Sequence, residues 1–183
     1  MRARLINLRP LTRLLLLTLA TASYADVRIE GVDGELARNV RLFTALSDEP
    51  CDAPYWRVRR RFSRLAADTR RALEPFGYYN AIVDTSLEFA AECWTAVVDI
   101  DAGLPTTWRN IRLDITGEAA SDPTFMTLPG TESLVAGNRV DHRAYETVKR
   151  NLQVRAADRG YVDMAITEAR IDVWPEDNAA DLT

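Results

Sequence analysis

The chain has 183 residues, with 23 basic and 27 acidic side chains and a formal net charge of −4 at neutral pH. That acidic balance argues against nucleic acid as a partner, because such binding rests on neutralising phosphates. Its two cysteines, Cys51 and Cys93, belong to no CxxC pair, and its single histidine, His142, joins no cluster of ligands, which argues against a metal centre.

Residues 1–25 read as a cleavable export signal. Arg2, Arg4, Arg9 and Arg13 precede the apolar run Leu14–Ala20, and Ser23-Tyr24-Ala25 supplies a small-x-small cleavage site. The run is far shorter than the ~20 residues a spanning helix needs. Cleavage after Ala25 removes four arginines and no acid, leaving 19 basic against 27 acidic residues and a net charge of −8. In an oxidising compartment the two cysteines are expected to pair.

Val27-Arg28-Ile29-Glu30 alternates as a strand with one buried face. A helix is expected over Glu35–Leu46 with Leu36, Val40, Phe43 and Leu46 on one side. A second helix starts near Pro54 and buries Val58, Phe62, Leu65, Thr69, Leu73 and Phe76 before Gly77 stops it. Asn80–Phe89 and Trp94–Ile100 alternate as two strands about a turn at Ala90–Cys93. After Gly103-Leu104-Pro105 the order starts again, with a strand at Ile111–Asp114 and a short helix over Asp122–Leu128. Asp141 caps a longer helix that buries Tyr145, Val148, Leu152 and Ala156. Val162–Val173 forms a second strand of weaker alternation, and Ala179–Leu182 begins a last one just before Thr183.

The plan is therefore a repeat. Gly77-Tyr78 and Gly160-Tyr161 close the two long helices 83 residues apart, with Phe62 and Tyr145 in register at that offset. A period of this size indicates tandem small domains. The expectation is an α+β chain of two β-α-α-β-β modules, residues 26–104 and 105–183. Each has a small mixed three-stranded sheet covered by two helices, and the second is expected to be incomplete at its C-terminus.

In this order of elements the chain resembles tandem POTRA domains, the periplasmic modules that precede outer-membrane assembly barrels. Val27–Val32, Arg57–Gly77 with Tyr78-Tyr79, and Trp94–Pro105 carry the likeness, with Leu128-Pro129-Gly130 and Tyr145–Tyr161 in the second unit. Within that superfamily it is most similar to the N-terminal part of the TamA family, the outer-membrane subunits of translocation and assembly modules. The resemblance implies a non-enzymatic scaffold in the periplasm, tethered to the outer membrane through a barrel that these 183 residues lack, and without cofactors. It also implies a TamB-like inner-membrane partner and unfolded outer-membrane clients, held by β-augmentation along the second strand of each module. Those edges are Ile82, Val83, Asp84, Thr85, Ser86 and Leu87 in the first module, and Ala165, Ile166 and Thr167 in the second.

Other residues have simpler readings. Gly77, Tyr78, Gly160 and Tyr161 are expected to be structural, as helix stops with packed rings. Arg57, Arg60, Arg61 and Arg64 lie off the apolar face of their helix, as a solvated basic face or a contact for acidic segments or anionic lipid. His142 reads as a surface histidine beside a helix cap, with no nucleophile converging on it. The alternatives are POTRA-like modules of another secretion or division protein, and a small secreted hydrolase or metal-binding protein using Asp99 and Asp101.

Overall fold

Two small mixed sheets organise the chain in the computed structural model, which describes residues 25–90 and 93–183. All but the last residue of the expected leader lies outside the described residues. The first half contains β1 (Asp26–Glu30), α1 (Gly34–Phe43), α2 (Tyr55–Leu73), β2 (Ile82–Phe89) and β3 (Trp94–Asp101). The second contains β4 (Thr107–Ile111), α3 (His142–Asp158), β5 (Ile171–Trp174) and β6 (Ala179–Leu182). No helix among the described residues is long and apolar enough to cross a membrane.

In the first sheet β3 is central, parallel to β1 and antiparallel to β2. The alternation explains why. Trp94, Ala96, Val98 and Ile100 are all at most 2 % exposed, pointing at the helices, while Asp99 and Asp101 face outward. Val58, Leu65, Ala72 and Leu73 of α2 and Val40 of α1 close the same core. α1 stops at Phe43, earlier than the periodicity predicts. Leu46 reaches the core from a following 3-10 turn (Ala45–Asp48), and Phe43 is half exposed. Cys51 and Cys93 form the expected disulfide, joining the loop before α2 to the start of β3 across 42 residues.

The second sheet repeats the topology, with β6 central, parallel to β4 and antiparallel to β5. The last strand is formed and carries the sheet, with Ala180 and Leu182 buried beside Trp108, Val140, Tyr145 and Val148. Three expectations shift. The first strand begins at Thr107, not Ile111, because Trp108 is the residue that enters the core, whereas Leu113 is half exposed. The short helix over Asp122–Leu128 is replaced by 3-10 turns at Glu118–Ser121, Pro123–Phe125 and Thr131–Ser133. Pro123 and Pro129 interrupt that stretch, and Asp122 caps Thr124 through its carboxylate.

The third shift concerns the second edge. The strand expected over Val162–Val173 is confined to Ile171–Trp174. Ala165, Ile166 and Thr167 lie outside any strand. A strand exists only where a neighbour takes its backbone groups, and no strand among the described residues pairs with 162–169. Arg170 and Thr183 exchange N–H···O bonds of 2.8 and 3.0 Å beside the β5–β6 ladder.

Candidate binding edge, basic helix and module joint

β2 is an edge strand. All eight of its residues pair with β3 on one side, from Ile82 opposite Asp101 to Phe89 opposite Trp94, and no strand among the described residues lies on the other. Val83 points into the core, whereas Ile82 is 62 % exposed. The strand is eight residues long, and only Asp84 and Glu88 interrupt its outer face with charge. An edge of this kind presents unpaired N–H and C=O groups to any extended chain.

The basic run on α2 divides into two groups. Glu49 is buried, and Arg61 Nε lies 2.6 Å from its Oε1. Arg57 Nε lies 3.0 Å from Oε2, at an angle that makes this a charge contact and not a hydrogen bond. Arg57 and Arg61 thus neutralise an internal carboxylate and anchor the loop before the helix, and they are not a free contact face. Arg59 donates to the Tyr55 hydroxyl at 2.7 Å. Arg60 and Arg64 stay exposed on the helix, without an ion pair among the described residues. Glu49 was not legible as a partner in the sequence, because it lies in a polar loop and its role depends on burial.

The Gly-Tyr pairs do what a helix stop requires, and one of them does more. Gly77 and Gly160 have φ of 82° and 81°, a region open to glycine at little cost. Tyr161 packs its ring 5.6 Å from Phe125, and its hydroxyl donates to Asp122 Oδ2 at 3.2 Å. That carboxylate also accepts from Thr124 N, Thr124 Oγ1 and Arg159 Nε. The Thr124 bonds, helped by Arg159, hold its pKa down to about 2. At Gly77 the backbone meets the second module. Its carbonyl accepts from Thr106 N at 2.7 Å, and an added Cβ would sit 2.6 Å from the Val140 carbonyl oxygen. Gly160 has nothing within 4 Å of that position.

Around Gly77 the two modules meet through side chains that lie far apart in the sequence. The Tyr79 hydroxyl and His142 Nε2 are 2.6 Å apart. His142 is therefore a half-buried joint residue and not a surface one; burial lowers its pKa, and burial also pushes the Tyr79 phenol up to about 12. Arg143 pairs with Glu35 across the joint and stacks 4.8 Å from the Phe76 ring. Arg139 lies 5.7 Å over Tyr78, and Asn80 donates to Pro175 O and Asn178 Oδ1.

Beyond the paired part of the second sheet lies a groove of about 620 Å³. Leu113, Ile115, Leu128, Leu152 and Met164 line it, between residues 112–119 and 160–169. Among the described residues no group of three or more His, Cys, Asp or Glu side chains is arranged to hold a metal. Asp101 instead caps its own turn, accepting from Gly103 N at 3.0 Å.

A three-stranded mixed sheet in β-α-α-β-β order, with an open second strand, is the form of a POTRA domain. Residues 26–102 match the family model described as POTRA domain TamA domain 1, and this first module belongs to that family. Among solved structures, the chain is similar to POTRA domains 3–5 of BamA from Haemophilus influenzae. The identity is 17 %, over 86 % of this chain and 57 % of that one, with a TM-score of 0.41. BamA from Haemophilus ducreyi lacking POTRA domains 1–3 matches at 20 % identity over 86 % of this chain and 27 % of that one, TM-score 0.41. POTRA domains 1–2 of Omp85 from Anabaena match at 16 % identity over 87 % and 91 %, TM-score 0.35. The chain thus spans little more than half of the first of these and about a quarter of the second.

Proposed function

We propose that the chain is a non-catalytic periplasmic scaffold of an outer-membrane assembly or translocation factor, and that it holds extended polypeptides by strand addition on β2. The observation that carries this reading is the open side of β2, eight residues long, on a module of the TamA POTRA type. Main-chain hydrogen bonds to such an edge do not depend on the client's sequence, while alternate side chains add modest selectivity. Unfolded barrel precursors need that kind of holding. A TamB-like inner-membrane partner would use the same chemistry if it presents a free strand. Barrel anchoring in the outer membrane belongs to the same reading, through residues other than these 183.

The test uses proline at two neighbouring positions. Successive residues of a strand send their N–H groups to opposite sides, so of Asp84→Pro and Thr85→Pro one removes a donor from the open side and the other removes a bond to β3. Fluorescent extended peptides from barrel strands should bind the native edge and lose affinity severalfold in the variant that keeps β3 pairing. Hydrogen exchange identifies which variant that is. Equal peptide affinity in a folded variant with its outward donor removed would refute strand addition at β2.

A further inference from the structure

We infer that the outer face of α2, with the aromatic cluster at its N-terminal end, is a docking surface for the anionic headgroups of a lipid bilayer. Trp56, Arg60 and Arg64 are spaced four residues apart and so line one side of the helix. Val58, Leu65, Thr69 and Ala72 are buried on the opposite side, so the line points straight out from the protein. Trp56 is 63 % exposed and Tyr55 56 % exposed. Phe89, at the end of β2, sets its ring 4.7 Å from Tyr55 and is itself 43 % exposed. Arg59 lies 5.3 Å from the Tyr55 ring centre, joining the aromatic end to the basic stripe.

The charge is local and of the right sign. The helix carries seven arginines and one acid, Asp68, which lies 3.8 Å from Arg71, within a chain whose net charge is −4. Glu49 occupies Arg57 and Arg61 from the inside. Arg59, Arg60 and Arg64 remain facing outward, with Asp52 and Glu88 the nearest exposed acids in sequence to the aromatic end. Three aromatic rings beside a basic stripe suit the bilayer interface, where tryptophan and tyrosine sit at headgroup level and arginine pairs with phosphate. Neither groove beside the second sheet takes a lining residue from α2, and the exposed side of a helix suits a plane of headgroups better than a peptide needing a groove. The disulfide Cys51–Cys93 and the Trp94 Nε1–H bond to Pro50 O, 3.1 Å, fix the loop leading into α2 against β3. The aromatic end is therefore held in place before it meets a ligand.

The experiment titrates the full chain with vesicles of phosphatidylcholine and with vesicles containing about 30 % phosphatidylglycerol. Each juxtamembrane basic residue contributes about fivefold to such partitioning, so Arg60→Gln with Arg64→Gln should weaken binding to the anionic vesicles roughly 25-fold. Trp56→Ser should remove most of the quenching of tryptophan emission by brominated lipid, because Trp94 and Trp108 are only 2 % and 1 % exposed and the half-buried Trp174 lies on the second sheet with Arg109 4.3 Å over its ring. The N-terminal basic and apolar stretch is common to all variants, so the differences isolate the helix. All three substituted residues are exposed, and circular dichroism checks that the fold is kept. Unchanged vesicle affinity in the double variant would overturn the inference. So would saturation of the arginine stripe by a glutamate peptide at physiological salt under conditions where anionic vesicles do not bind.

Discussion

Gly77 and Gly160 end equivalent helices with nearly the same φ, 82° and 81°, and this makes them a matched pair for separating backbone strain from packing between modules. Alanine at either position meets the left-handed penalty of about 1–2 kcal/mol. At Gly160 nothing lies within 4 Å of the added Cβ, so the penalty should end there. At Gly77 the methyl group would sit 2.6 Å from Val140 O, 3.2 Å from Arg139 Cγ and 3.3 Å from Thr106 O. Two of those atoms are backbone, which yields only if the modules move apart. That adds an overpacking cost of about 1–3 kcal/mol and threatens the 2.7 Å bond from Thr106 N to Gly77 O. Gly77→Ala should therefore destabilise by about 2–5 kcal/mol against about 1–2 for Gly160→Ala. Urea unfolding followed by circular dichroism reads both. Equal losses for the two variants would refute the claim that the modules bear on each other through Gly77.

Three further outcomes are expected. Replacing Cys51 and Cys93 together by serine should cost about 4 kcal/mol in the chain-entropy account for a loop of this length; a loss below about 1 kcal/mol in urea titrations would contradict it. Asp122, held to a pKa of about 2 against about 3.9 when unfolded, stabilises the fold fully above pH 4. That contribution fades as pH falls from about 4 to about 2, so the stability of Asp122→Asn should vary less over that window. The Tyr79 phenol, pushed up to about 12 by burial, contributes stability that is complete below pH 10 and is lost as pH rises towards 12. Absorbance titration at 295 nm should show one tyrosine fewer ionising near pH 10 than Tyr79→Phe subtraction would give for a solvated phenol.

The elements were legible where a period repeats over enough residues. The stripe Val58–Leu65–Thr69–Leu73 and the alternation Trp94–Ala96–Val98–Ile100 each report one face of one element, and both faces are buried as read. Residues 162–169 were not legible, because a strand needs a neighbour and a local pattern does not record one. Helical spacing groups the basic run on one polar face, yet Arg57 and Arg61 turn to Glu49 while Arg60 and Arg64 do not. Charge at helical spacing reveals which side of a helix is polar, not which loop folds back on it.

The joint shows the same limit more sharply. Tyr79 and His142 are 63 residues apart, and Glu35 and Arg143 are 108 apart, so no window of sequence contains both partners. Gly77 was visible as a helix stop because that role is local; its second role depends on Val140 and Thr106 arriving from the other module. Duplication makes the difference informative. Two copies of a helix stop share the left-handed turn, and the one that also bears against a neighbouring backbone loses the freedom to carry a side chain. The consequence reaches β2, whose first residue, Ile82, follows the joint residues Tyr79 and Asn80 after a single residue, Ala81. Anything that loosens Gly77 against Val140 also loosens the start of the open edge. Peptide affinity at β2 should therefore fall in Gly77→Ala and hold in Gly160→Ala, even where both proteins remain folded.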